Sequence, residues 1–125
     1  MYMMTSIVEE VAILSPMQDT EAYELIRLLE AIQELTNQIP LTISKDRWIA
    51  MGVHLLAFMR RVQNQEKLPA IDASLMEEGD VRLQQISQKV LDAYGLQYDF
   101  SLEPIEIFLL QVHLEVAKAV LEETN

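Results

Sequence analysis

No cysteine occurs in the 125-residue chain, and glycine is limited to three positions. The missing thiols exclude a disulfide scaffold, a cysteine nucleophile, an iron–sulfur cluster and cysteine-ligated zinc together. Gly52, Gly79 and Gly95 stand far apart, so neither a GxGxxG turn nor a P-loop can be drawn, and nucleotide cofactors held by such loops drop out. Basic residues are scarce as well: nine Lys and Arg face twenty Asp and Glu, for a formal net charge of −11. That surplus repels a phosphate backbone over most of the surface and argues against direct contact with nucleic acid. No Lys or Arg precedes Arg27, so the basic front of a secretory signal is missing. The longest apolar stretch, residues 48–59, falls short of the roughly 18–20 residues that cross a bilayer. A cytoplasmic protein without membrane contact is the expectation.

What is present is apolar and periodic. Half of the residues are hydrophobic, enough for one core in one domain. Ser15-Pro16-Met17-Gln18 predicts a helix start, with a capping hydroxyl, proline in the first helical position and glutamine three residues after the cap. Leu25, Leu28, Leu29, Ile32, Leu35 and Ile39 then make a one-sided stripe. Ser44-Lys45-Asp46 opens a helix that runs to about Val62, apolar around much of its circumference and so central to the fold. Residues 63–73 carry no period and read as a loop, and Ser74 with Glu77 predicts a short helix broken by Gly79. Asp80 restarts the pattern, which continues to Gly95, a residue suited to closing a helix in the left-handed conformation. Ser101 caps a last helix with Pro104 in its first turn and Ile107, Leu110, Leu114 and Ala117 on its stripe. Residues 1–14 are open between a short helix from Ser6 to Ile13 and an extended arm. They are set apart as an N-terminal arm from a single helical domain, 15–125. Four or five helices, short connections and no strand predict an all-α class, a compact bundle of about five helices.

Chemistry has few candidates. The two histidines, His54 and His113, each fall in the middle of a predicted helix. Seven residues is two helical turns with a slip of about 20°, so His54 and Arg61 project from one side of a helix, and the same spacing relates Glu106 to His113. A neutral imidazole beside a guanidinium can accept and hold phosphate. The plainer alternative is a pair of partly buried, hydrogen-bonded core histidines. A metal site is not expected, because Met51 and Leu110 stand three residues before the histidines where a di-iron bundle has glutamate, and HExxH is absent. No GxSxG supports serine hydrolysis. The seven methionines suit core gaps.

Together, the segments Trp48-Ile-Ala-Met-Gly-Val-His54-Leu-Leu-Ala-Phe-Met-Arg-Arg61 and Glu106-Ile-Phe-Leu-Leu-Gln-Val-His113-Leu resemble the two histidine signatures of the PTS regulation domain, or PRD. That family has a histidine followed seven residues later by arginine. A second histidine comes roughly sixty residues on, preceded seven residues earlier by glutamate. The resemblance extends from about Met17 to Lys118 and implies the family's five-helix bundle. It implies a regulatory module rather than an enzyme, without a cofactor or metal. Phosphate would be received on His54 and His113 from the phosphocarrier HPr or from enzyme II components of the bacterial phosphoenolpyruvate:sugar phosphotransferase system. On this reading Arg61 neutralises incoming phosphate and Glu106 orients the second imidazole. Family members usually carry tandem PRDs attached to an RNA-binding or DNA-binding module, whereas one copy is expected here, a stand-alone PRD. It would signal by homodimerisation or by docking to another regulator protein.

Overall fold

Side-chain caps and apolar stripes fix five helices among the described residues: α1 (Met4–Leu14), α2 (Asp19–Asn37), α3 (Lys45–Gln63), α4 (Val81–Gln97) and α5 (Pro104–Thr124). The computed structural model describes the backbone of residues 2–72, 74 and 79–124, and the side chains of 2–72, 74 and 79–120. Ser44 Oγ accepts the Arg47 backbone N–H at 3.3 Å, and Asp80 Oδ1 accepts that of Arg82 at 2.8 Å. These two caps open α3 and α4 where the sequence puts them. No strand occurs among the described residues, so the class is all-α. The short helix expected from Ser74 to Glu77 lies, Ser74 apart, outside the described residues.

The segment that the sequence leaves open is decided, and the starts of α2 and α5 and the end of α4 differ from expectation: α5 begins at Pro104, so Ser101 stands too far ahead to be its cap. Residues 4–14 form a helix rather than an arm, because Met4, Ile7, Val8 and Val11 share one face and are all buried. That face contacts α2 and α3, and burying each such side chain contributes about 1.5–3 kcal/mol. Gly52 permits the approach: a Cβ there would stand 2.6 Å from Val11 Cγ2. Ser15 then ends α1, its N–H donating to Val11 O at 2.7 Å, and so does not cap α2. That helix begins at Asp19, with the Gln18 N–H donating to Glu21 Oε1 at 2.9 Å. Finally, α4 runs through Gly95 to Gln97, and the left-handed residue of the exit is Asp99, at φ 52°. Gly95 serves close approach instead: its carbonyl accepts the Phe100 N–H at 3.0 Å, and a Cβ would meet the Phe100 carbonyl oxygen at 3.0 Å.

α3 is the central element, in contact with α1, α2 and α5, while α4 closes the bundle against α2 and α5. Trp48, Met51, Leu55, Leu56, Phe58, Met59 and Val62 of α3 are buried, which uses most of its circumference. The start of α4 is tied to α5, since the Asp80 N–H donates to Glu115 Oε1 at 2.6 Å and Lys118 Nζ reaches Asp80 Oδ2 at 3.4 Å. No helix of the described residues is long and apolar enough to cross a membrane.

Candidate functional site

A strip of α3 not committed to apolar packing carries polar groups in register. Arg47, His54 and Arg61 follow at seven-residue steps, and α5 presents Glu106 and His113 at the same step. The two helices run antiparallel here, because Glu106 meets Arg61 at one end and His113 meets Arg47 at the other. Between these contacts the two imidazoles face each other, ring centroids 5.3 Å apart and planes tilted by 35°.

At one end, the Arg61 Nε and Nη2 donate to Glu106 Oε2 and Oε1 at 2.9 and 2.7 Å. The carboxylate is 1% exposed and the guanidinium 16%, so this is a fork-on-fork ion pair largely out of water. At the other end, Arg47 Nη1 lies 3.2 Å from His113 Nδ1. Among the described residues no carboxylate stands within ion-pair distance of Arg47. His54 Nε2 is buried and, among the described residues, has no hydrogen-bond partner.

Burial, then the charges of His113 and Arg61, push the His54 pKa down from 6.5 to about 4. Burial and the Arg47 charge also lower that of His113. Both shifts favour the neutral ring at neutral pH, and a neutral imidazole has a free lone pair and is a nucleophile. Two guanidiniums beside two neutral imidazoles suit an incoming anion and oppose a cation. Among the described residues no group of three or more His, Asp or Glu could hold a metal ion.

The four residues singled out by sequence converge at one α3–α5 contact, but their partners differ from the expectation. Glu106 gives both carboxylate oxygens to Arg61 and makes no hydrogen bond to the His113 ring. Arg61 is correspondingly committed to this ion pair. Seven residues along α5 hold Glu106 two turns, about 10 Å, from its own histidine, and the antiparallel register sets it opposite the C-terminal end of α3, beside Arg61. Arg47 was missed. Its signal was in the sequence, two turns before His54 just as Arg61 is two turns after.

The model of the PRD domain family matches residues 29–117. The chain belongs to the PRD family. A solved structure described as a PRD-containing transcription regulator from Lactobacillus casei superposes with a TM-score of 0.72 at 20% identity, over 93% of this chain and 92% of that one. At that identity the likeness shows the fold alone. No curated protein matches the chain. The match to the PRD model takes in the whole α3–α5 strip, while α1 lies outside it.

Proposed function

We propose that this PRD is a cytoplasmic regulatory module of the phosphoenolpyruvate:sugar phosphotransferase system, accepting a phosphoryl group on histidine from HPr or an enzyme II component. The observation that carries the reading is the facing of His54 and His113 across α3 and α5, 5.3 Å apart, with Arg47 and Arg61 beside them. His113 is the first acceptor. His54 has its Nε2 sealed, and reaching that atom requires α3 and α5 to part. Arg61 and Glu106 brace the register that keeps the rings together.

The output is a change of association. A phosphohistidine adds about −1.5 to −2 charges at neutral pH, here at a helix–helix contact next to Arg47, which has no carboxylate partner among the described residues. Homodimerisation or docking to a regulator protein draws on exposed apolar side chains such as Ile13 and Leu14, 80% and 65% exposed at the end of α1. Incubation with phosphoenolpyruvate, enzyme I and HPr, or with enzyme II donors, should give acid-labile phosphate that His113→Ala abolishes and His54→Ala reduces. Sedimentation before and after labelling should show a change in mass. Absence of label with every donor refutes the proposal.

A second reading, a structural interaction protein with core histidines, draws on the buried, unpartnered His54 Nε2. It predicts no label and unchanged association in both histidine variants.

A further inference from the structure

Of the four polar side chains that the family signature singles out, none explains Arg47. It projects from the first turn of α3 and is half-buried, and its side chain's contact among the described residues is His113 Nδ1. In so acidic a chain, a half-buried guanidinium with an imidazole for a partner and, among the described residues, no carboxylate is unusual. Arg60, next to Arg61, shows the ordinary outcome, an ion pair to Glu21 at 2.8 Å. The charge of Arg61 is balanced by Glu106, which leaves Arg47, among the described residues, as a cation with charge to spare beside the rings. It also stands on the wall of a cleft of about 350 Å³ formed with Ser44, Asp46, Ala117 and Val120.

The contact also fixes a proton. A guanidinium has only donors and does not lose its charge in proteins. Its N–H therefore points at the His113 Nδ1 lone pair, and the ring proton of the neutral imidazole is on Nε2. Attack on phosphorus needs the nitrogen that has the lone pair, which is Nδ1.

We propose that Arg47 is the phosphate-binding residue of this site, that it holds His113 as the Nε2–H tautomer, and that the phosphoryl group is consequently taken on Nδ1. This rests on the phospho-acceptor reading above. In the transfer, the Nδ1 lone pair bonds to the phosphorus of a donor phosphohistidine as the donor's N–P bond breaks. The departing imidazole keeps that electron pair and takes up a proton, while His113 releases its Nε2 proton to solvent. The Arg47 N–H that rested on Nδ1 turns to the oxygens of the phosphoryl group now on that atom. Arg47 acts on the transferred group itself, whereas Arg61 acts through Glu106 on helix register.

The test combines NMR of the ¹⁵N-labelled protein with labelling rates for wild type, Arg47→Gln and Arg47→Lys. The resting wild type should show His113 as the Nε2–H tautomer, and its phosphorylated form the Nδ1 isomer of phosphohistidine. Arg47→Gln should be labelled about tenfold or more slowly, as expected when a charged donor to a transferring group is lost, and should populate both ring tautomers. Arg47→Lys should recover part of the rate, since a point charge remains without the fork. Phosphate on Nε2, a resting Nδ1–H tautomer, or an unchanged rate in Arg47→Gln overturns this inference and leaves the phospho-acceptor function standing. No label on wild type from any donor overturns both. Should Arg47→Gln fail to fold, the tautomer and isomer of wild type decide alone.

Discussion

Replacing Glu106 by glutamine isolates the brace between α3 and α5. The carboxylate is 1% exposed and accepts two Arg61 N–H groups at 2.9 and 2.7 Å. The amide keeps one acceptor for Nη2 but turns its own N–H groups toward the Nε–H, leaving two donors in opposition and the Arg61 charge unbalanced. Removing one partner of a buried ion pair costs about 3–5 kcal/mol, and the remaining exposure of Arg61 (16%) places the expectation at the lower end, about 3 kcal/mol. For a chain of this length that lowers the melting temperature by roughly 10 °C. Urea unfolding can be followed through Trp48, the single tryptophan, 3% exposed in the core. Arg61→Met should cost a similar amount, because it orphans the buried carboxylate instead. The double variant Arg61→Met with Glu106→Met should lose less than either single change, since no charge is left unpaired. A loss under about 1 kcal/mol for Glu106→Gln, or singles that simply add in the double, refutes the account of a desolvated, mutually dependent pair.

Acid should loosen the fold at the histidines. His54 titrates near 6.5 when unfolded but about 4 when folded, through burial first and then the His113 and Arg61 charges. The unfolded chain therefore binds the extra proton between these values, so stability is complete above about pH 6.5 and falls as pH drops toward 4, by up to about 3 kcal/mol. His113, lowered by burial and Arg47, acts in the same sense, and urea midpoints in His54→Gln should flatten across that window. A wild-type midpoint constant from pH 7 to 4.5 would contradict the burial of the ring. Gly52→Ala should destabilise by about 1–2 kcal/mol, because the cost of overpacking against the stiff, β-branched Val11 exceeds the gain of roughly 1 kcal/mol in helix propensity. Adding Val11→Ala should relieve part of that clash, and hydrogen exchange should place the loosening in α1. Unaltered exchange in α1 of Gly52→Ala would refute the close α1–α3 contact.

Local chemistry was sufficient for much of the architecture. Ser44 and Asp80 cap helices because their side-chain oxygens reach backbone N–H groups two or three residues on, an interaction contained within one turn. The stripe from Leu25 to Ile32 and that from Ile107 to Ala117 are likewise properties of one helix each, and their apolar faces had to be buried. The N-terminal helix was harder to read. Met4, Ile7, Val8 and Val11 make a face only four residues strong, and β-branched residues suit an extended arm equally well. What decided it was Gly52, on another helix, which leaves room for Val11.

The sequence alone determined which residues share a helix face: Arg47, His54 and Arg61 on one, Glu106 and His113 on the other, through seven-residue spacing and the 3.6-residue turn. Only the tertiary structure decided how those faces meet. Spacing within a helix is set by covalent geometry, whereas register between α3 and α5 is set by how all the surrounding apolar side chains pack at once. In that register Glu106 meets Arg61, His113 meets His54, and Arg47 meets an imidazole and, among the described residues, no carboxylate.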